Sequence, residues 1–230
     1  MKRMLLGLLC LVLSGCVSRQ VMTPQQVAAI KTIAIVSSVG DEMMTIDVPF
    51  FGLGSSVTKG PIADLDLDTH VIAQLTDRLK DHYQIVPVNY KSTDFRSDRM
   101  KAPIGTVVHD ATTLPSGTPT VDAYIVLTTT TIEIRNSGRH VRGAFMARLA
   151  TVSGHEHYAG VIFKMTVVDG HSFQPISNID VVDYDAVNQD YWADGVSALT
   201  ASQRDKLKQE LNSQLDATLR PALKRLPLID

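Results

Sequence analysis

Only one long unbroken apolar run occurs in the 230 residues, at positions 4–13; beyond it the apolar positions fall into short strand-like runs and two helical stripes. Residues 31–37 (KTIAIVS) are apolar and rich in β-branched side chains, which predicts a buried strand. Residues 43–48 predict a second strand, paired with the first across a turn at Gly40 and Asp41. From Asp64 to Tyr83 the rhythm becomes helical: Val71, Leu75 and Leu79 recur at every fourth place, with Ile72 beside them. Asp64, Asp66 and Asp68 precede that stripe, where the positive end of a helix dipole favours acids. Residues 84–88 (QIVPV) predict a strand returning beside the first, so that strand, helix and strand make a compact opening unit.

Residues 91–119 are polar, carry Pro103, Pro115, Gly117 and Pro119, and predict a long connection. Strands are then expected at 123–135, 141–152, 159–168 and 176–182, forming an antiparallel meander; the first of them needs a bulge to keep its apolar residues on one face. A helix over 202–226 closes the chain. Thr200 and Gln203 fit a capping box, and Leu207, Leu211, Leu215, Leu219 and Leu223 form a broad stripe to lay on the sheet. Pro221 is expected to kink or end this helix. The fold class that follows is α+β: a mixed or antiparallel sheet, one amphipathic helix after the first strands, and a long C-terminal helix packed on the sheet.

The front of the chain has its own logic. Lys2 and Arg3 precede the ten-residue apolar run, which is too short for a permanent transmembrane helix of about twenty residues. Leu13-Ser14-Gly15-Cys16 follows, and it resembles the lipobox of bacterial lipoproteins. The resemblance implies a diacylglycerol on the Cys16 thiol, cleavage before Cys16, and further acylation of the new amino group by a chain such as palmitate. It also implies an address. Val17 stands where Asp tends to retain such proteins in the inner membrane, so the expected site is the outer membrane, facing the periplasm. Each buried methylene contributes about 0.8 kcal/mol, so two or more chains give stable anchoring. The expected organisation is a signal peptide over 1–15, a lipidated N-terminus and tether over 16–30, and one periplasmic domain over 31–230.

Composition narrows the chemistry. Loss of Lys2 and Arg3 with the signal leaves 20 basic residues against 24 acidic, a net charge of about −4, which argues against nucleic acid as a partner. Cys10 leaves with the signal and Cys16 is taken by lipid, so no thiol remains for a disulfide, a metal or nucleophilic catalysis. His155 and His157 in GHEHYAG (154–160) project to one side if that stretch is extended, with Glu156 opposite; a zinc site would need His171 or another ligand to join them, and a polar turn is the simpler reading. Asp64, Asp66 and Asp68 lack the glycine and closing glutamate of a calcium loop. GLGSS (52–56) lacks a phosphate-loop lysine, Ser153 and Ser172 lack a nucleophile elbow, and Asp183 and Asp185 sit at a solvated strand end. No catalytic residue, metal ligand or cofactor is assigned; Cys16, as the lipidation site, is the one functional residue. Phe50, Phe51, Tyr191 and Trp192 flank turns, either as an interaction patch or as plugs of the core.

The lipobox, the 31–37 strand, the amphipathic helix and the returning 84–88 strand together resemble small periplasmic α/β modules on lipoproteins of envelope transport and assembly systems. That resemblance implies a non-enzymatic binding or assembly partner in the cell envelope, holding membrane lipid through acylated Cys16 and a second envelope protein through its body. Two other readings stay open: a lipid-anchored hydrolase or metal-dependent enzyme using the His155/His157 region, and a carrier of a lipid or lipoprotein in an apolar groove.

Overall fold

The computed structural model describes residues 21–50, 54–135 and 137–230; the signal segment, Cys16, Phe51 with the start of GLGSS, and Asn136 lie outside the described residues. Among the described residues, nine strands form one mixed sheet, with four α-helices against it. In chain order these are α1 (Pro24–Ala29), β1 (Thr32–Ser37), β2 (Glu42–Val48), β3 (Ser56–Pro61), α2 (Leu67–Leu79), β4 (Gln84–Ile85), α3 (Ile104–Ala111), β5 (Ala123–Thr129), β6 (Thr131–Glu133), β7 (His140–Thr151), β8 (Gly154–Asp169), β9 (Pro175–Val187) and α4 (Ala201–Arg225).

The predicted opening unit forms: β4 lies parallel to β1, and α2 carries Val71, Leu75 and Leu79 fully buried. The meander forms over its last three strands, with β7, β8 and β9 antiparallel in sequence, while β5 pairs with β8 and β1 rather than with β7. A second expected pairing is also missing. β2 never touches β1; it runs parallel to β7 and antiparallel to β3, while β1 lies between β4 and β5. The reason is local. The Asp68 carboxylate takes hydrogen bonds from the Ser37 hydroxyl at 2.5 Å and the Val39 amide at 2.9 Å, which holds the chain leaving β1 against the start of α2 and prevents a tight hairpin.

The sheet forks at β8. One edge of β8 pairs with β9 over residues 157–168; the other pairs with β7 over 154–162 and then with β5 over 163–169. The predicted bulge in the first meander strand is this fork: the chain breaks at Thr130, and β6 turns away to pair with β7. Gly143 sits at the crotch with φ +61°, and a Cβ there would stand 2.7 Å from Thr129 Cγ2. Only glycine meets both demands.

Helices α2 and α4 run side by side over one face of the sheet. All five leucines of the α4 stripe are at most 1% exposed, worth about 2 kcal/mol each in transfer free energy. Pro221 does not end α4; the helix continues to Arg225 because Ala222, Leu223 and Leu226 still have core to fill. On the opposite face a second cluster packs Ala34, Val36, Tyr124 and Val126 under Phe95 and Val108, so the polar connection holds a short 3-10 turn at Ser92–Phe95 and the helix α3. A third cluster, around Phe145, Tyr158 and Ile162, lies beneath the β6–β7 hairpin. At the front, Thr23 caps α1, and Met22 and Ile30 are buried, so the folded body reaches back to Met22. Among the described residues, no helix is long and apolar enough to cross a membrane.

Candidate functional site

Two places gather charged side chains, and both follow from the fork. The first lies where β1 and β5 end beside the N-terminus of α2, the usual position for ligands in sheets of this kind. Arg96, delivered by the segment after the 3-10 turn, donates from Nε and Nη2 to Asp98 at 3.1 and 2.9 Å, and from Nη2 to Glu42 at 3.2 Å. Arg142 of β7 reaches Asp98 at 3.0 Å, Ser97 at 2.7 Å and Thr129 at 3.1 Å. Lys59 of β3 closes the ring on Glu42 at 3.5 Å. The guanidinium of Arg96 beside Asp98 holds that carboxyl far below the usual range, and Asp98 in turn raises Arg96.

Below this ring lies Asp41. Its Oδ1 accepts from the Ser92 hydroxyl at 2.6 Å, and its Oδ2 is buried with no protein partner. The cavity bounded by Ser38, Asp41, Arg96, Thr129 and Arg142 has about 20 Å³, room for one water molecule and far below a metabolite. Asp68, next to it, is pushed above its ordinary value by burial, against its hydrogen bonds from Ser37 and Val39. Apart from Asp41 Oδ2, the charges here satisfy one another and close the fork.

The second place is at the far end of β7 and β8. Asp47, Arg148 and His157 stand in register across β2, β7 and β8. Arg148 grips Asp47 with Nε at 2.9 Å and Nη2 at 2.5 Å, which holds the Asp47 carboxyl low. The same guanidinium lies 4.8 Å from the centre of the Trp192 ring, and His157 lies 5.8 Å from it. Burial lowers His157, and the Arg148 charge adds to this. An open groove of about 450 Å³ runs beside them, between His155, His157, Arg135 and the segment Val187 to Gln189.

GHEHYAG is strand, not turn. Paired with both β7 and β9, it opens β8 and sends His155 and His157 to one face, while Glu156 accepts from the Tyr158 hydroxyl on the other. His171 does not join them. It lies beyond the opposite end of β8, 3.5 Å from Asp122 and roughly 40 Å of strand away from His157. Among the described residues, no three His, Cys, Asp or Glu side chains are placed to hold a metal ion.

Of the three N-terminal acids, Asp64 meets Arg204 at 2.7 Å and Asp66 meets Lys208 at 3.0 Å, which stitches α2 to α4, while Asp68 ties down the end of β1. Ser172 donates to Asp169 in a turn, Asp183 is half-buried and Asp185 is exposed. Trp192 and Tyr191 pack against the main core, whereas Phe50 is 52% exposed; Phe51 lies outside the described residues. Between α4 and the sheet the leucine stripe is buried. A groove of about 720 Å³ between the C-terminal halves of α2 and α4 is lined by Arg78, His82, Asp216 and Arg220. Arg96, Asp98, Arg142 and Arg148 carried no local motif; they lie on two segments distant in sequence, and folding brings them to their partners in the two places described.

No family model matches the sequence, and no curated protein matches it. Among solved structures the chain is similar to a Xanthomonas campestris protein of the family DUF330, at 8% identity, 86% of this chain, 84% of that one and TM-score 0.37. It is similar also to a Neisseria meningitidis lipoprotein, at 10% identity, 82% and 99% coverage and TM-score 0.34. A third such structure is a hypothetical protein of Chlamydia trachomatis, at 7% identity, 86% and 94% coverage and TM-score 0.34.

Proposed function

We propose that the chain is a bacterial lipoprotein held to the outer membrane by acylated Cys16, facing the periplasm, whose body acts as a non-enzymatic binding or assembly partner of another envelope protein. The observation that carries this reading is the Leu13-Ser14-Gly15-Cys16 stretch set six residues before the buried Met22. Six residues span at most about 21 Å. A lipid on Cys16 therefore keeps the α1 end of the body close to the bilayer, and β8 extends away from it. The charges of Arg96, Asp98, Arg142 and Glu42 are engaged with one another in closing the fork, so the reading does not assign them a catalytic role.

Replacement of Cys16 by Ser tests the anchor. Labelled palmitate enters the wild-type protein and not the variant, and the variant leaves the outer-membrane fraction or stays as uncut precursor. Unchanged retention with normal maturation refutes the anchor. Cross-linking of the native protein in envelopes tests the rest: a recovered envelope protein supports the binding role, and hydrolytic turnover with no partner at all overturns it.

A further inference from the structure

Helices α2 and α4 run parallel, joined by Asp64 with Arg204 near their starts and by His70 with Asp216 at 2.9 Å further on. Both therefore end on the same side of the body, and the chain enters the body there too. The Gln84 amide donates to the Lys31 carbonyl at 2.9 Å, and the Tyr83 hydroxyl donates to the Leu228 carbonyl at 3.0 Å. The groove of about 720 Å³ between the two helix ends thus opens beside the segment that leads back through α1 to Met22 and Cys16. A lipid on Cys16 holds this end of the body at the bilayer surface.

The charges of this groove are not closed on one another as those of the fork are. Asp77 is taken by Lys80 and Asp216 by His70. Arg78 donates to the Gln74 side chain and to the backbone carbonyls of Gln74 and Asp216, while Arg220 is exposed. Among the described residues neither guanidinium forms an ion pair, and neither do Asp81 and Asp230 on the same walls. His82 stands beside them, and Ile229 and Pro221 supply apolar surface. An anion alone would meet the carboxylates, and a cation alone would meet the guanidiniums. A ligand that carries a phosphate and an ammonium a few bonds apart answers both. Both helices also turn the negative ends of their dipoles toward this place, which favours the ammonium.

We propose that the groove between the C-terminal ends of α2 and α4 receives the headgroup of a zwitterionic phospholipid with a free ammonium, the phosphate on Arg78 and Arg220 and the ammonium on Asp81 and Asp230. This rests on the reading of Cys16 as the membrane anchor and adds a second, non-covalent contact with the same bilayer.

The test places the full acylated chain in nanodiscs of phosphatidylcholine, part of which is replaced by phosphatidylethanolamine or by phosphatidylglycerol, and reads amide exchange. Phosphatidylethanolamine slows exchange in the last turns of α2 and α4 by about threefold or more. Phosphatidylcholine has no N–H to give Asp81 or Asp230, phosphatidylglycerol has no ammonium, and neither slows it. Arg220→Gln and Asp81→Asn each remove most of the effect, and Lys206→Gln, near the start of α4, leaves it. Soluble glycerophosphoethanolamine, titrated without discs, separates a free solute from a lipid. Three results overturn the proposal: equal exchange in the three discs, slowing by phosphatidylglycerol alone, or binding of the soluble headgroup with no response to phosphatidylethanolamine discs. Palmitate on Cys16 is read on the same preparation. Its absence sinks the anchor, whereas equal exchange with palmitate present sinks the groove alone.

Discussion

Arg96 holds both carboxylate oxygens of Asp98, two residues further along, and reaches across with the same Nη2 to Glu42 on β2. The pair is the clamp on the fork, because Arg142 of β7 also ends on Asp98. Arg96→Ala leaves Asp98 and Glu42 short of their charged donor, and costs about 1–3 kcal/mol in chemical denaturation. The clamp also has a pH signature. Asp98 is held below its unfolded value, so its contribution is complete above about pH 4 and fades as acid protonates it in the fold. Arg96→Ala therefore shows a smaller loss of stability below pH 4 than the wild type.

Asp68 has the opposite sign. Burial raises its pKa, so the folded state resists its ionisation, and stability falls as pH rises from about 4 until the folded carboxyl has ionised. Asp68→Asn keeps an oxygen for Ser37 and Val39 and lacks that slope, so it gains on the wild type as pH rises through this window. Asp68→Ala removes the acceptor and costs about 1–3 kcal/mol at every pH. Denaturant midpoints of both variants from pH 3 to 8 check the pair of outcomes.

Trp192 is the only tryptophan, and His157 and Arg148 both lie against it. Protonated imidazole quenches indole, so Trp192 emission falls on acidification with a midpoint below 6.5, the direction set by burial and by the Arg148 charge. His157→Gln abolishes the transition. Arg148→Ala moves the midpoint upward and shifts emission to the red. A midpoint above 6.5 in the wild type contradicts this arrangement.

Gly160 of β8 lies opposite Tyr184 of β9. A Cβ there would meet Tyr184 Cβ at 2.3 Å and the Asp183 carbonyl oxygen at 2.5 Å. Gly160→Ala pushes β9 outward at a cost of about 1–3 kcal/mol, despite the better strand propensity of alanine. Thermal melts read the cost, and faster amide exchange confined to β9 and its neighbours locates it.

What was legible in the sequence divides by distance along the chain. The α2 stripe, the Thr200–Gln203 capping box and the α4 leucines are local patterns, and each formed as expected. Helix α3 was legible in principle, since Ile104, Val107, Val108 and Ala111 follow a helical spacing, but nearby prolines and glycine masked it. GHEHYAG looked like a turn because its alternation is carried by histidines and a glutamate rather than by apolar residues. The partner of β2 was not legible at all. Met43 pairs with Ala144, and nothing near residue 43 records that choice. The Arg96–Asp98–Arg142 cluster inherits the same difficulty, as the fork that unites its members is a product of pairing between distant strands.

The fork also sets the order in which the chain can become a protein. β1 waits for β5, β2 waits for β7, and both branches wait for β8. A growing chain that has reached Thr120 owns, among the described residues, the β2–β3 hairpin and the two-residue contact of β1 with β4, with most of its sheet-forming backbone unsatisfied. Pairing across about a hundred residues is slow to close. The sheet thus cannot close before β7 and β8 arrive, and a fragment that stops before Gly154 lacks the strand on which both branches pair.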